Sequence, residues 1–188
     1  MDERRVRGVL FVDYVRMLRA RRDVDWSRHL SFEDRSYVVR RIEPEAWYPM
    51  ETFERFGLAI LDEIAKGDLF VVRAWGRLQV EQLANSKQGL LVAGDPRESL
   101  MRLQVVRSSL FDFEAVTVPE LSDTSARVFV QYGMGARAEQ AAAHQTLGWF
   151  GRLAELAGGG AVRFDFEQRA WEGDAKTVLA LEWDVARP

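Results

Sequence analysis

Apolar positions recur at helical spacing up to about residue 110 and with a period of two over much of the remaining chain. In residues 6–21, Phe11, Val15 and Leu18 share a helical face. Residues 31–42 carry mixed signals. Ser31 with Asp34 three positions on is a helix start, whereas Tyr37, Val38 and Val39 are strand formers. A short helix is the reading adopted. Met50, Phe53, Gly57, Ile60, Leu61 and Ile64 then line one face of a helix over 49–66, with Pro49 in its first turn and Gly67 ending it. A second helix is predicted over 69–84, holding Val72, Trp75, Gly76 and Leu83. The sharpest local signal is Asp95-Pro96-Arg97-Glu98, with Asp95 as N-cap, Pro96 at the first position and Glu98 bonding back to the cap. Leu100, Leu103, Val106, Arg107 and Leu110 continue at helical spacing.

Beyond residue 110 the period shortens. Phe111, Phe113 and Ala115 alternate with Asp112, Glu114 and Val116; Val128, Val130 and Tyr132 alternate with Arg127, Phe129 and Gln131. This predicts an antiparallel hairpin. A helix over 136–157 presents Ala143, Leu147, Phe150 and Ala154 on one face and stops at Gly158. Strands over 162–167 and 177–183 come next, joined by a turn holding Trp171, Gly173 and Asp174. The fold class is therefore α+β: N-terminal helices, then a β-β-α-β-β unit whose antiparallel sheet packs against helices. The 188 residues are read as one domain, 1–188, with 1–30 as an N-terminal helical appendage.

Composition narrows the function classes. Hydrophobic residues make up 47% and interspersed charged residues 29%, which excludes a disordered chain. Without cysteine there is no disulfide, thiolate nucleophile, cysteine zinc site or iron–sulfur cluster. The start, MDERRVRGVLFVDYV, lacks the apolar core and cleavage site of a signal peptide, and no stretch approaches the roughly 20 apolar residues of a membrane span. A cytoplasmic protein with no membrane span is expected. The net charge is −3. Eleven arginines face seven acidic residues within 1–41, but no basic stripe of the nucleic-acid-binding kind emerges, so no nucleic acid is expected as a partner.

No familiar chemistry stands out. The two histidines are His29, in a charged stretch, and His144, among alanines on the last long helix, read as a surface or boundary residue. Neither belongs to a metal-ligand pattern. There is no G-x-S-x-G elbow, no G-x-G-x-x-G and no phosphate-binding loop. Gly133-Met134-Gly135 reads as a flexible strand-to-helix turn. Carboxylate pairs such as Asp62 with Glu63, Glu43 with Glu45 and Asp165 with Glu167 read as solvated faces. No catalytic residue, metal ligand or cofactor is assigned. The six tryptophans are more informative, because Trp75 and Trp149 stand beside glycines. Such pairs let elements pack closely, or leave an aromatic-lined slot between helices and sheet. The residues named for a ligand slot are Phe53, Phe56, Trp75, Trp149, Phe150 and Trp183, with Arg77 as polar anchor and Arg152 as a second candidate.

Trp47-Tyr48-Pro49-Met50 entering a helix, the Trp75-Gly76-Arg77 helix, Gly94-Asp95-Pro96 opening another, and a glycine-terminated helix followed by strand, turn and a strand ending in Glu182-Trp183 together form a pattern. It resembles a family of uncharacterised domains expanded in myxobacteria, over roughly residues 36–185. More distantly, the element order is similar to the ligand-binding superfamily of haem nitric-oxide sensors, vinyl-reductase-type regulatory domains and Golgi tethering subunits. That resemblance implies a sensor or scaffold, with members that bind haem, small hydrophobic molecules or acyl chains and act through dimers. The chain departs from the haem branch in having no proximal histidine and no Tyr-x-Ser-x-Arg motif. It departs from the vinyl-reductase branch in lacking cysteine. The leading expectation is a non-enzymatic regulatory domain holding a small apolar ligand or a signalling partner. The alternative is a homodimeric assembly module built on the 49–66 helix or on the small face at Ala141, Gly148 and Gly151. A carboxylate- or histidine-based enzyme is the least favoured.

Overall fold

The computed structural model describes residues 4–184; residues 1–3 of the expected appendage lie outside them. Among the described residues are six α-helices and two antiparallel sheets, the α+β class read from the sequence. The chain divides into two units. One runs to Asp68 and takes in Ser109–Phe113; the other holds Leu69–Ser108 and the chain from Glu114 onward.

The first unit contains a pairing that no periodicity announces. Strand β1 (Arg5–Arg7) pairs with β2 (Trp47–Pro49), with Val6 opposite Tyr48. On its other side β1 takes up the 109–113 segment. Arg7 N–H donates to Leu110 O at 2.8 Å, Asp112 N–H to Arg5 O at 3.2 Å, and Val6 bridges Phe111. These contacts redirect the strand expected at 111–116: Phe111 is buried in the first unit, and the long ladder begins only at Val116.

Helices α1 (Gly8–Ala20), α2 (Phe32–Val39) and α3 (Met50–Glu63) complete the unit. The ambiguous segment is a helix because Ser31 and Asp34 close a reciprocal capping box. Asp34 is fully buried, and Arg55 grips it with two bonds of 2.8 Å. Burial would raise that carboxyl, but the bonds from Arg55 and Ser31 hold it below the ordinary range. Pro49 precedes the first turn of α3 as its N-cap, rather than sitting inside it. Phe11 is the centre of the core, with ring centroids of Tyr48, Phe56 and Tyr37 at 4.7, 5.0 and 5.3 Å.

In the second unit, α4 (Leu69–Ser86) and α5 (Pro96–Ser108) precede β3 (Val116–Leu121), β4 (Ser125–Val130), α6 (Ala136–Leu156), β5 (Gly160–Gln168) and β6 (Thr177–Asp184). Asp95 caps α5 as predicted, accepting the Glu98 N–H at 2.8 Å, but the expected return bond is replaced: Asp95 N–H donates to Val92 O and the Glu98 carboxylate accepts from Arg102. The sheet order is β3-β4-β6-β5, antiparallel throughout, so the last strand of the chain lies inside the sheet. β4 ends two residues earlier than the alternation implied, because Tyr132 leaves the ladder for a buried hydroxyl network. Edge strand β3 carries Pro119 and a register shift between Thr117 and Glu120. On β5, Val162, Phe164 and Phe166 are half-buried while Arg163, Asp165 and Glu167 are exposed.

Helices α4 and α6 cross at their glycines. A methyl at Gly76 would fall inside the Gln145 carbonyl, and one at Gly148 inside the Arg73 carbonyl. The two backbones therefore touch. Ion pairs lock the crossing: Arg77 forks onto Glu155 at 3.0 and 2.9 Å, and Arg152 bridges Glu81 at 2.5 Å and Glu155 at 2.8 Å.

Gly148→Ala should destabilise the protein by about 1–3 kcal/mol, because neither backbone can yield without moving a helix. Gly57→Ala is the control, since its methyl meets only the Tyr14 ring at 3.4 Å and gains helix propensity. Urea unfolding of the two variants checks the order; equal midpoints would refute the backbone contact.

Candidate functional site

β4 feeds α6 through Gly133-Met134-Gly135. Gly133 has φ +72°, a left-handed conformation that glycine adopts without steric cost. Gly135 caps the helix. One turn in, buried Glu139 reaches back: its carboxylate accepts the Tyr132 N–H at 2.7 Å and the Met134 N–H at 3.0 Å. Bonds to a charged acceptor are about twice as strong as neutral ones, so this lashing fixes the turn. Opposite, the chain leaves β5 through a single 3-10 turn at Ala170–Glu172, closed by Gly173 at φ +106° and by Arg169 N–H donating to Asp174 at 2.6 Å. A cleft of about 260 Å³ lies in this region, lined by Gly133, Met134, Glu139, Trp171, Ala175 and Lys176 among others. The Lys176 ammonium stands 3.4 Å from the centre of the Phe129 ring. The cleft thus offers one acid, one base and one indole on a largely small-residue wall.

Two polar groups lie in the body of the unit. Arg107 is buried, bonded to the Tyr132 hydroxyl and stacked 5.0 Å over Trp149. Tyr132 also shares a 2.6 Å bond with Thr146. Further along the unit, His144 packs on Phe166 at 4.8 Å and near Trp171 at 6.2 Å, and those rings meet edge to face at 5.0 Å. Burial, then the charges of Arg73 and Arg169, push the imidazole down to about 4.

The seven residues named from the sequence are distributed over both units. Phe53 and Phe56 belong to the aromatic core around Phe11. The other five lie in the second unit. Phe150 is fully buried and Trp183 is 2% exposed, its indole N–H donating to Asp123 O at 2.8 Å. Trp149 is buried and donates to Gln79 at 3.0 Å, while Trp75 is half-buried. Arg77 and Arg152 are engaged by Glu155 and Glu81 rather than turned to solvent. None of the seven lines the cleft. Glu139 and Trp171, which do, were not singled out. Trp171 in a turn between strands was the available signal, since a large aromatic in a connection needs a partner; Glu139 gave none. The small face of α6 is not presented outward: Gly148 meets α4 and Gly151 meets the Phe164 ring. Among the described residues no group of three or more histidines and carboxylates is placed to hold a metal ion, and no helix is long and apolar enough to cross a membrane.

No family model matches the chain, and no curated protein is similar to it in sequence. Its fold is similar to that of solved H-NOX proteins. The Fe(II) unliganded H-NOX protein from K. algicida aligns with a TM-score of 0.64 at 15% identity, over 95% of this chain and 96% of that one. The S. oneidensis H-NOX protein in the Fe(II)NO ligation state gives 0.61 at 12%, over 95% and 99%. A point mutant of the T. Tengcongensis H-NOX gives 0.59 at 13%, over 97% and 98%. A fold like that of H-NOX proteins, one branch of the distant likeness expected from the element order, is thus present nearly end to end.

The state of His144 predicts a pH dependence. An imidazole near 4 in the fold and near its ordinary 6.5 when unfolded takes up its proton first in the unfolded chain, so stability falls as pH drops through that window. His144→Gln should remove this contribution. Urea midpoints at about pH 7 and pH 5 should differ more for the wild type than for the variant; an equal difference would refute a neutral, buried imidazole.

Proposed function

We propose that this chain is a cytoplasmic regulatory domain of H-NOX-like fold that senses a small molecule other than haem. The observation that supports it most is the fold likeness over 95% of the chain, joined to a cleft whose mouth is a lashed turn and an indole. At about 260 Å³ the cleft is below the roughly 300–1,000 Å³ of drug-sized pockets. The ligand that fits is compact, with an apolar body against Met134 and Trp171 and a polar end toward Glu139 or Lys176. The slot named from the sequence, around Trp75, Trp149 and Phe150, is the secondary place for it.

Haem is the group that the fold likeness suggests, and neither histidine nor Tyr132 is placed to hold its iron. Haem iron takes an axial histidine, thiolate, methionine or tyrosinate. The chain has no cysteine. His29 Nε2 is bonded to Glu63 at 2.9 Å. His144 is packed against Phe166 at 4.8 Å and near Trp171 at 6.2 Å. The Tyr132 hydroxyl is held by Arg107 and Thr146.

An assembly reading has one observation of its own. Phe32 and Val39, seven residues apart on one face of α2, are each 85% exposed. They are two turns apart on that face, with Arg35 and Ser36 between them, and symmetric dimers are the commonest assemblies.

Native mass spectrometry of the purified chain, before and after denaturation, tests these readings together. The expected result is a small added mass, absent after denaturation and lost in Trp171→Ala, with no haem retained after incubation with haemin. A retained stoichiometric haem would overturn the exclusion of haem. An added mass unchanged in Trp171→Ala would move the ligand out of the cleft. A bare dimer that Phe32→Ser breaks would favour assembly.

A further inference from the structure

Three buried side-chain nitrogens of the second unit lack a hydrogen-bond partner in one neighbourhood: Arg73 Nε, His144 Nδ1 and Trp171 Nε1. Buried polar atoms without partners are rare in folded proteins, and each calls for an explanation. Three around one imidazole is a pattern. Their proximity is fixed from several directions. The Arg73 backbone touches Gly148, and His144 lies one turn earlier on the same helix. His144 stands 4.8 Å from Phe166 and 6.2 Å from Trp171 between ring centroids. Arg169 adds a guanidinium 6.0 Å over the Phe166 ring.

We propose that Arg73, His144, Arg169 and Trp171 form a seat for an anionic group, a carboxylate or a phosphate, carried by a small molecule. The partnerless nitrogens of Arg73 and Trp171 can only donate, and that of His144 donates once protonated or in the matching tautomer. An acceptor with several lone pairs satisfies all three; an apolar ligand satisfies none.

Charge gives the same sign. The groups that face the imidazole are Arg73 from α4, Asp165 from β5 and Arg169 from the segment after β5, two cations against one carboxylate. Asp165 is exposed and already accepts the Phe166 N–H at 2.8 Å, and Arg169 has only a 3.4 Å pairing with exposed Glu172. A cation is therefore repelled and an anion drawn in. Phe166 and Trp171, at right angles, form an apolar wall for the remainder of the ligand. Apart from Trp171, which borders both, the seat is separate from the cleft, and it does not rest on the sensor reading.

Anion binding and imidazole protonation are linked. An anion that binds the protonated form more tightly raises the His144 midpoint by the same factor. The test is a pH titration of the labelled full chain by NMR, following the His144 imidazole and the Trp171 indole N–H at constant ionic strength. The probes are inorganic phosphate, acetate and benzoate. The expected result is a saturable shift of both signals and a His144 midpoint raised by about one pH unit, a tenfold preference for the protonated form, with the His29 signal unmoved. Response to phosphate alone assigns the seat to phosphoryl groups, and response to acetate or benzoate alone to carboxylates. Trp171→Phe keeps the ring and removes the N–H, so affinity should drop about threefold to tenfold; Arg169→Gln should weaken it as well. A His144 midpoint that none of the three anions moves overturns the proposal, as do shifts that persist undiminished in both variants.

Discussion

The second unit depends on the contact of two helix backbones at Gly76 and Gly148. Glycine in a helix interior costs up to about 1 kcal/mol relative to alanine, so two facing glycines mark a place where proximity matters more than helix propensity. The approach sets the axis of α6 against α4, and the contacts that span the two helices depend on that axis. Gln79 can then accept from the Trp149 indole at 3.0 Å, and Arg77 can fork onto Glu155. At the other end of α6, Glu139 ties down the strand-to-helix turn. At mid-length His144 is held against Phe166. The Arg77–Glu155 fork and the Gln79–Trp149 bond span the two helices and so depend on the crossing, whereas the Glu139 lash is local to residues 132–139.

The same economy of space explains where a ligand could go. Large aromatics fill both cores: Phe11 gathers Tyr37, Tyr48, Phe53 and Phe56 in one unit, and Phe150 and Trp183 are sealed in the other. Room and unpaired chemistry occur where the chain turns, between the start of α6 and the bend after β5. At 15% identity to the K. algicida H-NOX protein, the chain shares the scaffold and few of the side chains on it. Fold and function are separable in this way because function resides in the site.

Much of the architecture was legible because its signals are local. Asp95-Pro96, the Ser31–Asp34 box and Gly158 act within a few residues and place α2, α5 and the end of α6, whereas α1 and α4 were read from their apolar positions alone. The strands β1 and β2 were not legible: three residues each, they are held by pairing across some forty positions of sequence. The misplaced start of β3 has the same origin, since Phe111 alternates like a strand residue but is claimed by Val6. For the site, the glycine turn at 133–135 was readable from composition, and its lashing by Glu139 was not. The aromatic count pointed to tryptophan: of those named, Trp149 and Trp183 are buried and Trp75 is half-buried, and the one bordering the cleft sits in a connection. His144 looks unremarkable among alanines. Only the fold reveals that its neighbours leave it neutral and Nδ1 without a partner.

The edges of the four-stranded sheet carry a consequence for how this protein meets others. β3 is interrupted by Pro119 and a shifted register, and β5 shows alternating Arg163, Asp165 and Glu167 together with two irregularities in its own pairing. Proline, bulges and charge are the means by which natural sheets refuse an additional strand. Recruitment of an extended peptide by strand addition is thereby disfavoured on both flanks, and self-association into continuous ribbons with it. Any protein partner is thereby left the helix surfaces and turns, where side-chain packing rather than a lengthened ladder would make the contact.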